Sequence, residues 1–149
     1  MARVEVVGTN HTSFTVKDLD VALSLFVDGL GFELLSRAPR DPGAIERITG
    51  VAGGDVTIAF VQGPGHRVEL VAYHAPAERG HATPRACDAG FSHLALDVAD
   101  MDAVIGMAES HGLTCLGEVF VIDQGPNAGR RVAYFRDDNG ITLEFLETR

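Results

Sequence analysis

Cysteine is scarce in this 149-residue chain: only Cys87 and Cys115 occur, with no C-x-x-C spacing. That excludes a disulfide scaffold and a structural zinc-thiolate site. Basic residues are scarce too, 12 Lys and Arg against 21 Asp and Glu, for a formal net charge of -9. The acidic surplus repels phosphate over most of the surface, so nucleic acid is not an expected partner. No uninterrupted apolar stretch approaches the roughly 18 residues of a membrane span, and no membrane partner is expected. The start, Met1 to Val7, carries Arg3 and Glu5 inside its short apolar run and has no signal-peptide core. A cytoplasmic, reducing location is the expectation. What is plentiful is apolar content, 46%, enough for one domain with a core, and glycine, 17 residues spread as turn markers.

Those turns separate two copies of one unit. His11-Thr-Ser-Phe-Thr-Val-Lys-Asp-Leu-Asp20 aligns without gaps on His93-Leu-Ala-Leu-Asp-Val-Ala-Asp-Met-Asp102. Each segment runs on into a helix of the same register, with Leu19, Ala22, Leu23 and Phe26 matched by Met101, Val104, Ile105 and Ala108. Asp18 and Asp100 suit the N-cap positions, and Gly31 and Gly112 suit the stops. Further on, Ala59-Phe60 and Val68-Glu-Leu70 match Tyr134-Phe135 and Leu143-Glu-Phe145 at a shorter offset. The first copy therefore holds about seven extra residues, placed in the Pro- and Gly-rich stretch from Pro39 to Gly54. The expected architecture is α+β: two tandem β-α-β-β-β modules at about 8–73 and 91–147, joined by a linker at about 74–90, together one domain.

Alternation along the strands sets Phe14, Val16, Val68, Leu70, Leu143 and Phe145 toward the helices. His11, Glu69, His93 and Glu144 then fall on the opposite face. Each alone reads as an ordinary wetted position. Their recurrence at matching places in two modules related by a rough two-fold would gather two His and two Glu into one site.

Two neutral imidazoles and two carboxylates total -2, which balances a divalent cation and leaves two positions of a six-coordinate ion open. Nitrogen and oxygen donors without thiolate suit Ni, Co, Zn, Mn or Fe alike. Such a centre can stabilise the enolate or enediolate left by loss of an α-proton, with a carboxylate taking the proton.

The motifs at 11–20, Gly29-Leu-Gly-Phe-Glu33, Val68-Glu-Leu70, Gly90-Phe-Ser-His-Leu-Ala-Leu96 and Asp137-Asp-Asn-Gly-Ile-Thr-Leu-Glu144 together resemble the vicinal oxygen chelate superfamily. The resemblance spans essentially the whole chain. It implies an eight-stranded curved sheet with a metal-binding cleft, one divalent metal ion held by His11, Glu69, His93 and Glu144, and a homodimer acting on a small-molecule substrate. Most similar are glyoxalase I and methylmalonyl-CoA epimerase type members, which implies an isomerase, epimerase or lyase with Glu144 or Glu69 as the proton-transferring base. Thr15 stands where glyoxalase I enzymes typically carry a glutathione-binding Arg, and Glu69 where the epimerase usually has Gln. Fe(II) or Mn(II) extradiol-type dioxygenases and non-catalytic antibiotic-binding proteins of the superfamily remain the alternatives.

Three further residues are candidates for substrate contact. His74 follows Glu69 by five residues, and Arg130 and Arg131 follow the loop Gly125-Pro-Asn-Ala-Gly129, where a guanidinium could clamp a carboxylate or phosphate. His66 falls in a hairpin turn, His81 in the linker, and His111 at the end of the second helix, where a cation suits the macrodipole.

Overall fold

A computed structural model describes residues 3–148; Met1 and Ala2, within the start discussed above, lie outside them, as does Arg149. The chain divides into two compact units, the first ending at Arg79 and the second beginning at Gly80.

In the first unit β1 (Thr12–Val16) leads into α1 (Leu19–Leu23), which continues through π-helical turns at Ser24–Gly29. Asp18 caps the helix: its Oδ1 accepts from the N–H groups of Asp20 and Val21, both at 3.0 Å. The π turns close through Leu30 N–H to the Leu25 carbonyl at 2.9 Å, one residue wider than an α turn. That widening brings Leu25 and Phe26 both inside, 1% and 0% exposed, where a strict 3.6-residue period predicts only Phe26 on the buried face. Gly31 follows at φ +71°, a left-handed stop that a side chain would resist.

The strands β2 (Glu33–Pro39), β3 (Asp55–Gly63) and β4 (His66–Ala75) complete a four-stranded sheet in the order β1-β4-β3-β2. Only β1 and β4 run parallel, with Ser13 beside Glu69. Because β1 and β2 occupy opposite edges, the helix between them must cross the sheet, and Val68 and Leu70 are wholly buried.

The extra residues of this unit are not an irregular excursion. They fold as α2 (Pro42–Thr49). Asp41 Oδ2 accepts from Ala44 N–H at 2.7 Å, Pro42 opens the helix, and Gly50 closes it at φ +73°. Ile45 anchors α2 in a cluster with Val56, Ile58 and Val71, against which Phe60 and Tyr73 pack.

The second unit repeats the plan with β5 (Leu94–Val98), α3 (Met101–Ser110), β8 (Arg131–Arg136) and β9 (Thr142–Glu147). Asp100 caps α3 as Asp18 caps α1, accepting from Asp102 and Ala103 N–H. His111 occupies the C-cap. The strand that follows α3 is broken around Gly117 into β6 (Thr114–Cys115) and β7 (Phe120–Val121), each paired to β8. The sheet order is β5-β9-β8-β6, again with one parallel pair, β5 and β9. The α+β class and the repeated module are as expected, with the strands hydrogen-bonded into a sheet of four in the first unit and of five in the second. Among the described residues no helix is long and apolar enough to cross a membrane.

Candidate metal centre

His11 precedes β1, and Glu69 lies at the middle of the neighbouring parallel strand β4. The pairing of Ser13 with Glu69 sets the register, so the imidazole meets the carboxylate with Nε2 3.3 Å from Oε2. His93 and Glu144 repeat the arrangement at the head of β5 and within β9, at 2.9 Å. In both pairs the histidine side chain is about twice as exposed as the glutamate, 31% against 16% and 32% against 18%. The carboxylates are rooted in the sheet and the rings stand above them, reachable from solvent.

Asn10 Oδ1 lies 2.6 Å from His11 Nδ1, which assigns the proton of a neutral ring to Nδ1 and leaves the Nε2 lone pair facing Glu69 Oε2. Two lone pairs opposed at 3.3 Å repel unless a proton or a cation lies between them. The donor set thus fits a cation, with Asn10 in the orienting role that partners of metal-bound histidines usually take. Each unit holds one such pair, a nitrogen beside an oxygen donor. Among the described residues no group of three or more His, Cys, Asp or Glu side chains is gathered as a metal site; what the structure brings together are the two pairs.

Each glutamate faces an aromatic residue across its hairpin: Phe60 opposite Glu69 and Tyr134 opposite Glu144. The ring centroid of Phe60 lies 5.6 Å from that of His11, edge to face, and the Tyr134 centroid 4.9 Å from that of His93. Sequence matching aligned Phe60 with Phe135, one residue off. The five-residue turn between Arg136 and Thr142 is longer than the two-residue turn between Gly63 and His66, and the slip exchanges the faces of the strand. Tyr134 is therefore a site residue that the sequence comparison missed. Burial first, then the Glu144 charge and a hydrogen bond to Glu144, raise its hydroxyl above the usual phenol range.

The other candidates are placed elsewhere. Alternation along β4 turns His74 to the face opposite Glu69, where its Nε2 meets Thr57 Oγ1 at 2.9 Å. Arg131 forms a structural clip: Nε and Nη2 grip both Glu147 oxygens at 2.8 and 2.6 Å, and Nη1 reaches Asp102 at 2.5 Å. Those contacts tie β8 and β9 to the first turn of α3, and any substrate anion would have to displace them. Arg130 Nε is buried without a hydrogen-bond partner among the described residues. Neither arginine lines the cavity of about 420 Å³ beside Tyr134 and Glu144. A second cavity, about 540 Å³, opens beside Glu69 and is walled by α2.

The fold agrees with what known proteins show. The chain belongs to the glyoxalase/bleomycin resistance protein/dioxygenase superfamily, whose family model matches residues 8–145. It is 34% identical over 145 residues to a 2-epi-5-epi-valiolone epimerase of Actinomyces sp., covering 94% of this chain and 79% of that one. A glyoxalase family protein from Bacillus cereus superposes with a TM-score of 0.83 at 29% identity, over 99% of this chain and 97% of the other. The fold is also that of a fosfomycin resistance protein from Listeria monocytogenes, solved with Mn(II) and sulfate: TM-score 0.61, 14% identity, 97% and 95% covered.

Proposed function

We propose that this protein is a divalent-metal-dependent isomerase of the epimerase type, in which His11, Glu69, His93 and Glu144 hold one cation and a small oxygenated substrate exchanges an α-proton. The observation that carries the reading is the duplicated His–Glu contact, with the His11 lone pair turned on a carboxylate by Asn10. The 34% identity to a 2-epi-5-epi-valiolone epimerase supports the choice of proton transfer over the other chemistries of the superfamily.

A bound cation would supply Lewis-acid stabilisation of the negative charge that grows on the substrate oxygen as the α-proton leaves. The chain's own residues do the rest. Glu144 or Glu69 takes the proton and returns it, each being seated on a central strand so that only its carboxylate tip is free to move. Tyr134, directly opposite Glu144 across the hairpin, carries a hydroxyl that can donate to that tip and orient it. His11 and His93 would supply the ring nitrogens, the first oriented by Asn10. The same reading takes the protein as a cytoplasmic homodimer without nucleic-acid or membrane partners, and leaves Ni, Co, Zn, Mn and Fe as equal candidates for the metal.

The test is to purify the protein, measure its bound metals, and incubate it in D₂O with a panel of α-hydroxy ketones, from hydroxylated rings such as 2-epi-5-epi-valiolone to ketones that carry a hydrocarbon body and a carboxylate. Near-stoichiometric metal that is lost in Glu144→Gln, together with deuterium at the α-carbon, is expected. Substrate-dependent O₂ uptake without exchange would instead make it a dioxygenase, and a protein that neither retains nor takes up metal would refute the reading.

A further inference from the structure

The β4 segment Val68-Glu-Leu-Val-Ala-Tyr73 is apolar on both faces apart from Glu69. Val68, Leu70 and Ala72 face the α1 side and are buried. Val71 and Tyr73 share the Glu69 face, and beside Val71 on β3 stands Ile58. An apolar strip thus runs from the glutamate along the sheet.

Helix α2 stands over that strip. Ile45 descends into the cluster with Val56, Ile58 and Val71. Ile48, one helical turn on, shares its side of the helix but passes beyond the cluster and is left 80% exposed. An isoleucine held out between Arg47 and Thr49 contributes nothing to the core. It does line the cavity of about 540 Å³, with Ile45, Ile58, Val71, Tyr73 and Glu69. That volume is within the range of small-molecule sites, about 300–1,000 Å³. Arg40 also lines the cavity, is half-buried, and makes no ion pair among the described residues; the neighbouring Asp41 spends its Oδ2 on the helix cap. Every lining residue belongs to the first unit.

We infer that this cavity binds the body of the substrate, and that the substrate class is an amphiphilic acid: oxygen functions at the Glu69 end, a hydrocarbon or aryl body across Ile58, Val71 and Ile48, and an anionic group against Arg40. This rests on Glu69 being where the chemistry happens, and it names which compounds reach it. Most of the wall's exposed surface is apolar, and beyond Glu69, Arg40 and Asp41 a densely hydroxylated ring meets only the hydroxyls of Ser13, Thr15, Thr49 and Tyr73. The residues that set the class are the inserted ones, Arg40 and α2.

Octanoate serves as the probe for body and anion together, with butanoate and myo-inositol as controls, in calorimetric titrations of the full chain. Octanoate binds and the two controls do not. Ile48→Ser and Arg40→Gln each weaken octanoate about tenfold, as loss of one buried aliphatic contact or one charge-assisted bond implies. Ile48 is so exposed that its variant keeps the fold, and Ala44→Phe, which fills the cavity from α2, abolishes binding. Removing metal with a chelator leaves octanoate affinity unchanged, because Arg40 and not the metal holds its carboxylate. Failure of the metal reading thus leaves the octanoate result intact. The inference is overturned if octanoate does not bind, if inositol binds better, if the Ile48 and Arg40 variants bind it as the parent does, or if chelation releases it.

Discussion

Tyr134 faces Glu144 directly across the β8/β9 ladder, its ring 4.9 Å from that of His93, and burial together with the Glu144 charge raises its hydroxyl above the usual phenol range. Phe60 holds the same place opposite Glu69 without a hydroxyl. The two half-sites are therefore alike in donors and unlike in how the carboxylate is held. Tyr134→Phe keeps the ring against His93 and Phe91 and removes only the hydroxyl. Groups that orient metal ligands typically cost 10–100-fold in metal affinity when removed. A loss in that range is expected for Tyr134→Phe in competition against a chromophoric chelator, while Phe135→Leu, on the opposite face of the strand, leaves affinity unchanged.

Asn10 does for His11 what Tyr134 does for Glu144. With its Oδ1 gone, the ring is free to place either nitrogen toward Glu69 and loses the fixed tautomer. Asn10→Ala is expected to weaken metal about 10–100-fold with unchanged melting of the metal-free protein, since Asn10 is exposed and lies outside the sheet. Asn10→Asp, which retains an acceptor, is expected to recover most of the affinity.

Glycine positions give predictions of opposite sign. A Cβ at Gly63 would stand 2.4 Å from the Phe32 ring, which is 6% exposed and packed edge-on against Phe26. Neither ring can yield without opening the core, and Gly63→Ala is expected to cost about 1–3 kcal/mol. Gly106 in α3 meets nothing within 4 Å. Gly106→Ala is expected to add about 0.4–1 kcal/mol, chiefly by restricting the unfolded chain. Thermal melts of the two variants should move in opposite directions, by roughly 2–4 °C per kcal/mol for a chain of this size.

The caps Asp18 and Asp100, the repeated module and the two His–Glu pairs were legible because each is written in short-range periodicity: an acid before an apolar helical stripe, a polar residue on an alternating strand. Helix α2 was not, for a physical reason. Eight residues with Ala44, Ile45 and Ile48 as their apolar side make no stripe long enough to tell from a loop, and Asp41-Pro42 with Gly50 were the only cues. The π turns that bury Leu25 beside Phe26 depend on packing under the helix, which no local pattern states. Tyr134 was hidden by a one-residue slip in register between the two hairpins, the change that moves a side chain from one face of a strand to the other. Arg131 read as a substrate clamp because a guanidinium after a loop looks free until its partners, Glu147 and Asp102, are brought in from 16 and 29 residues away.

That clip makes the fold's acid response specific. The Arg131 bonds, with Met101 N–H donating to Oε1 at 2.9 Å, hold Glu147 down to about 2 from an ordinary 4.5. A carboxyl whose pKa is lower folded than unfolded stabilises the fold fully above the unfolded value, and the contribution is lost as pH falls through the folded one. Glu147→Gln should therefore melt lower than the parent at pH 7. The gap should stay constant down to about pH 5, narrow from 4.5 toward 2, and close only below about pH 2, once both carry a neutral side chain. Melts across that range decide it: a gap that persists undiminished down to pH 2 would mean that the glutamate acts through shape and not through charge. Asp137 runs the other way. Burial raises it against the bonds from Asn139, Ile141 and Gly140, so its ionisation weakens the fold as pH rises through the folded value. The Glu147 effect is best read as the difference between parent and variant, in which the Asp137 contribution cancels.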